Sequence, residues 1–153
     1  MKHALFTLAI VLSMFSCSED IGKGRDTIKL SSSELFSTAE GGEFVVTTQS
    51  KNWNMERMIS VDSEFYGMGF DEEGNNCYWP YNGIDFPIET GEDRAYCYYI
   101  VKIEGPWFTV HRVTEQKIIF YILPNDTGRT RTLALGLSTL NFSTSLTLTQ
   151  SAD

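Results

Sequence analysis

The residues with the most chemical potential lie between positions 60 and 104. Tyr66, Phe70, Tyr78, Trp79, Tyr81, Phe86, Tyr96, Tyr98 and Tyr99 crowd into this stretch, with Asn75, Asn76, Asn82, Asp85 and Asp93 among them. Flat aromatic rings lie well against the apolar C–H face of a sugar, and amide or carboxylate groups bind its hydroxyls. The ingredients of a glycan site are therefore present. Tyr78, Trp79 and Tyr81 surround Pro80 in a predicted loop and, with Asn76 and Asn82, are the candidates for it. The same residue types also form cores, where a large ring is buried and one polar tip is satisfied. They also anchor protein interfaces. Tyr96, Tyr98 and Tyr99 fall on a predicted strand and read as structural.

Catalytic and metal chemistry find little support. His3 sits at the N-terminus and His111 in a predicted strand, where a general base has no evident partner. No nucleophile elbow or phosphate-cradling glycine loop is present. The run Asp71–Asn76 is rich in oxygen, but its spacing does not match a calcium loop, and a solvated turn explains it. Cys77 and Cys97 have no His or Cys at ligand spacing, so they make no zinc site. The reading is a non-catalytic chain with no metal and no cofactor. A glycosidase pair of carboxylates depends on a separation that sequence does not give.

The first seventeen residues bear on compartment. Met1-Lys2-His3 is weakly basic, and Ala4 to Phe15 carries no charge over twelve residues. That is the layout of a secretory signal. It falls short of the roughly twenty apolar residues that a membrane-spanning helix needs. Ser16-Cys17 follows directly. A small residue before a Cys at this place resembles the lipobox of bacterial lipoproteins, in which the Cys is acylated after the leader is cut. Residues 1–16 then read as a signal peptide, Cys17 as the lipidation site, and residues 17–26 as a polar tether. Ordinary secretion with cleavage nearby is the rival reading. Ser18-Glu19-Asp20 resembles the acidic export signal of Bacteroidetes surface lipoproteins. The resemblance implies a lipid-anchored protein on the outer face of the outer membrane.

An oxidising compartment leaves two fates for Cys77 and Cys97. A bridge between them would close a loop of about twenty residues and stabilise by about 3 kcal/mol in the chain-entropy model. Alternatively both are buried thiols, which behave as small hydrophobes. The net charge of -8 disfavours nucleic acid as a partner, because that affinity rests on Lys and Arg neutralising phosphates.

The elements that must position these residues are strands. Thr27 to Leu30 and Glu34 to Ser37 open the domain, and Gly41-Gly42 marks a turn. Glu43 to Gln49 places Phe44, Val46 and Thr48 on one face. Trp53, Met55 and Arg57 alternate with polar neighbours. Ala95 to Glu104 is apolar on both faces, as a central strand is. Trp107 to Arg112, Lys117 to Leu123, Thr130 to Leu137 and Ser145 to Gln150 follow, with turns at Pro124 to Gly128 and around Asn141. In the last two runs Leu133, Leu135 and Leu137 share a face, as do Leu146 and Leu148. Short strands at this spacing predict an all-β, Ig-like antiparallel β-sandwich over 27–151. Trp53 is its expected core Trp. The aromatic-rich stretch is a long insert.

Several of these pieces resemble a known family in its own order. They are Ile28-Lys29-Leu30-Ser31 with Leu35, Gly41-Gly42 with Phe44–Thr48, Asn52-Trp53-Asn54, Trp107–Val110, Asn125–Arg131 with Leu133, and Leu146–Gln150. Together they resemble the BACON domain, an Ig-like module of Bacteroidetes surface proteins. The resemblance implies a glycan-binding surface module. A structural or protein-binding subunit of an outer-membrane surface complex is the alternative. The expected partners are thus a glycan or a surface protein, with the membrane reached through the lipid anchor.

Overall fold

The computed structural model describes residues 27–70, 76–80, 86–92, 98–139 and 142–153. It contains eleven strands: β1 (Glu34–Ser37), β2 (Gly42–Thr47), β3 (Asn54–Val61), β4 (Glu64–Phe70), β5 (Asn76–Pro80), β6 (Phe86–Glu92), β7 (Tyr98–Glu104), β8 (Phe108–Thr114), β9 (Lys117–Ile122), β10 (Arg131–Ser138) and β11 (Ser143–Gln150). No helix occurs among the described residues, and none is long and apolar enough to cross a membrane.

The strands hydrogen-bond in the order β1-β11-β10-β3-β4-β5-β6-β7-β8-β9-β2. This ribbon forms two layers, and β6 joins them by pairing with β5 in one layer and β7 in the other. The result is an all-β sandwich. Among the described residues, all strand pairings are antiparallel except β1 with β11, which is parallel and makes its sheet mixed.

Alternation along each strand builds the core. Met55, Ile59, Val61, Leu133, Leu135, Leu137, Leu146 and Leu148 come from one layer. Val46, Ile103, Phe108, Val110, Ile118 and Phe120 come from the other. Burying such side chains contributes roughly 1.5–3 kcal/mol each, which makes this face the main source of stability. The expected Leu faces of β10 and β11 are both buried.

The β7 strand departs from simple alternation. Glu89 pairs with Lys102 and Thr90 with Ile100, so Val101 is an extra residue. The bulge resets the phase, and Ile100 and Ile103, three apart, are both buried. Both faces were expected to be apolar, yet Lys102 lies on the outer one, ion-paired with Glu89 and Glu104.

Three further expectations are corrected. The opening strand Thr27–Leu30 is reduced to a single bridge between Leu30 and Thr48. The stretch 60–94, assigned no strand from sequence, holds the end of β3 and all of β4, β5 and β6. Residues 76–80 around Tyr78 and Trp79 form strand β5 instead of a loop, because their backbone completes the ladder offered by β4.

Candidate functional site

Strand β4 begins at a two-residue turn. Val61 pairs with Glu64, and the intervening Asp62 and Ser63 both have positive φ, at 50° and 70°. That is the backbone of a type I′ hairpin turn, whose twist matches the strands it joins. The Asp62 carboxylate accepts a hydrogen bond from the Thr132 amide at 2.7 Å, and the Asp62 amide donates to the Thr132 carbonyl at 2.9 Å. The turn is thus tied to β10.

The sequence of β4 alternates two kinds of residue. Tyr66, Met68 and Phe70 occupy one parity, and Phe65, Gly67 and Gly69 the other. Tyr66 is buried in the core, whereas Phe65 is 58% exposed. The odd positions are therefore the outer face. Register extends that face in both directions. Phe65 pairs with Ser60, Ser60 with Ala134, and Ala134 with Thr147. Gly67 pairs with Trp79, and Gly69 with Cys77. Among the described residues, no atom lies within 4 Å of where a Cβ on Gly67 would project. Around β4 the outer surface thus offers the exposed Phe65 ring, a row of small and hydroxyl-bearing residues, and open space above Gly67 beside the Trp79 position; Phe36 on β1 is a second exposed ring on the same face.

The same register separates residues that were expected together. Pro80 pairs with Tyr66 and Tyr78 with Met68, so position 78 has the parity of the core. Position 79 has the parity of the outer face. Asn76, paired with Phe70, has the parity of Tyr78. Tyr81, Asn82, Cys97 and Cys17 lie outside the described residues, and with them the Cys77–Cys97 pairing and the lipidation site. Phe65 was not singled out from sequence, although the alternation of rings and glycines over 64–70 carries the signal.

Tyr66 marks the inner side of the site. Its hydroxyl donates to the Glu64 carboxylate at 3.0 Å. Burial, followed by this hydrogen bond and the charges of Glu64 and Asp62, pushes the phenol above its ordinary value. Lys102 is also raised, chiefly by its bonds to Glu104 and Glu89.

Two clusters fix the ends of the sandwich. At one end Trp53 is buried, and its indole N–H donates to the Glu115 carbonyl at 2.7 Å. The Arg112 guanidinium lies 4.2 Å from the Trp53 ring centroid and 4.9 Å from that of Tyr99. The expected core Trp thus carries a cation–π contact as well. At the other end the buried Asn125 side chain donates to the Arg129 and Ser151 carbonyls and accepts from the Thr127 amide and hydroxyl. The buried Gln150 side chain donates to the carbonyls of Thr38, Ala39 and Leu123. Arg131, paired with Gln150, lies over Trp107 at 5.0 Å.

Among solved structures, the chain is similar to a protein from Bacteroides thetaiotaomicron determined by NMR. The TM-score is 0.55 at 17% identity, covering 86% of this chain and 93% of that one. At that identity the likeness is one of fold alone. A Bacteroides ovatus GH5 xyloglucanase in complex with a XXXG heptasaccharide aligns with 82% of this chain and 19% of its own, at 12% identity and a TM-score of 0.37. That similarity is too slight to bear on fold or function. No protein-family model matches the chain, and no curated protein does.

The described residues contain no group of three or more His, Cys, Asp or Glu side chains arranged to hold a metal ion. His111 lies on the outer face of β8, paired with Lys102 and Ile119.

Proposed function

We propose that this chain is a non-catalytic, lipid-anchored surface module of BACON type that binds glycans on the outer face of β3, β4 and β5. The observation that carries the reading is exposed Phe65 beside the open space over Gly67, with the Trp79 position directly across. An aromatic ring on a flat β-surface suits the apolar face of a pyranose. Ser60 and Thr147 along the same row supply hydroxyls. Acylation at Cys17 would hold the module on the outer membrane, with binding of about 4 to 8 kcal/mol in the millimolar to micromolar range.

The test is binding of the purified protein to immobilised mucin and plant polysaccharides, compared with Phe65→Ala and Trp79→Ala. Retention of the parent and loss in both variants support the reading. Equal retention of all three, or of none, contradicts it. A mass matching an acylated Cys17 in the membrane fraction supports the anchor.

A protein-binding role has its own observation. Val45, Val113 and Tyr121 are exposed on the outer side of β2, β8 and β9. A partner that co-purifies with the parent and is lost on Tyr121→Glu would favour that reading.

A further inference from the structure

Two exposed rings stand on one face of the same layer, Phe65 on β4 at 58% exposure and Phe36 on β1 at 72%. Register connects them across five strands. Phe65 pairs with Ser60, Ser60 with Ala134, Ala134 with Thr147, and Thr147 with Glu34. Phe36 lies two residues beyond Glu34, on the same face, and pairs with Thr149, which pairs with Thr132. The intervening Leu133 and Leu148 point into the core instead. The face thus carries a ring near each side and a floor of Ser60, Ala134, Thr132, Thr147 and Thr149 between them. These floor residues are half-buried, and their short side chains leave the rings as the projecting groups. Four strand spacings across and two residues along put the Phe65 and Phe36 Cα atoms roughly 20 Å apart.

From this spacing we infer that the face takes an extended glycan of several units, crossing the strands from Phe65 to Phe36 and bound along its interior. The inference rests on the glycan reading of the Phe65 surface. Two features choose this occupant. The apolar groups are two separated rings, whereas a protein interface buries a contiguous apolar centre. The floor between them carries the hydroxyls of Ser60, Thr132, Thr147 and Thr149, groups that both donate and accept hydrogen bonds, as sugar hydroxyls do. A pyranose unit in an extended glycan is about as long as one strand spacing, so the span between the rings holds about four or five units. A disaccharide meets one ring. A longer chain meets both, and its second contact is made by a ligand already held by the first.

The experiment titrates the intact protein with oligosaccharides of two to six units of β-1,4-linked glucose, mannose and xylose, read by calorimetry and amide NMR. For a sugar that binds, affinity should rise about tenfold between three and five units, as a second contact on a held chain gives, and level off at six. Short oligomers should shift Ser60 and Phe65, and longer ones Thr147, Thr149 and Phe36 as well. Phe36→Ala should bind oligomers of two and three units as the parent does and lose the gain at five. Unchanged amide shifts at the buried Leu133 and Leu148 show that the variant is folded. A gain with length that survives Phe36→Ala overturns the extended chain and leaves the Phe65 surface standing. So does an affinity that is independent of length yet abolished by Phe65→Ala. No binding of any oligomer to the parent overturns that surface, and the inference with it.

Discussion

Gly67 and Trp79 face each other across the β4–β5 ladder, and the space above Gly67 is open. Gly67 has no positive φ that would demand a glycine. A glycine inside a strand weakens it, because it adds chain entropy and packs nothing. Gly67→Val should therefore leave stability unchanged or raise it by up to about 1 kcal/mol. The added side chain would occupy the space beside the Trp79 position and abolish glycan retention. Urea denaturation with a parallel binding assay checks both halves. A variant that binds as well as the parent places the ligand elsewhere.

Ser63 holds a φ of 70° without being glycine. The left-handed region costs an L-residue about 1–2 kcal/mol. Asp-Gly is the favoured pair in a type I′ turn. Ser63→Gly should thus stabilise the protein by about 1 kcal/mol, seen as a higher urea midpoint with an unchanged slope. A lower midpoint would mean that the turn is formed differently.

Much of the sandwich was legible in local alternation. Leu133, Leu135 and Leu137, and Leu146 with Leu148, are buried as their period of two requires. Trp53 was legible as core from its size and its place in an early strand. The insert was harder for physical reasons. Its first turn uses Asp62-Ser63 with no glycine or proline to mark it. Pro80 at the end of β5 mimics a loop signal, although a proline is tolerated at a strand terminus. Val101 shifts the phase of β7, so Ile100 and Ile103 share burial at a spacing that simple alternation forbids. For the proposed site, composition drew attention to the stretch that holds β4 and β5. The register of Tyr66 with Pro80 is what gives position 79 the parity of Gly67, and pairing is a long-range property.

Both ends of the sandwich depend on single side chains. Trp53→Ala removes a buried ring, its bond to Glu115 and the surface under Arg112, and should cost about 3–5 kcal/mol. Asn125→Ala leaves the Ser151 carbonyl and the Thr127 amide without the partner they have here and removes one of two donors to the Arg129 carbonyl, and should cost about 1–3 kcal/mol. Chemical denaturation measures both. A loss under 1 kcal/mol for Trp53→Ala would contradict its place between the layers.

The Tyr66 phenol is raised in the folded state, so the folded protein holds its proton more tightly than the unfolded chain. Its contribution is fully present below the ordinary tyrosine pKa near 10 and is lost as pH rises through the folded value. Stability should fall on the alkaline side of about pH 10, and Tyr66→Phe should flatten that fall. Lys102, raised by Glu104 and Glu89, acts in the same direction from the outer face of β7. Melting temperatures across the alkaline range test the sign. A stability that rises there would be inconsistent with a buried Tyr66 beside Glu64.

The most direct measurement is an amide NMR titration of the intact protein with soluble mucin and plant oligosaccharides. Shifts should concentrate at Ser60, Phe65, Gly67, Gly69 and Trp79, and leave Val45, His111 and Tyr121 on the other layer unmoved. Shifts confined to that second layer, or none with any sugar, would contradict a glycan surface on β3, β4 and β5.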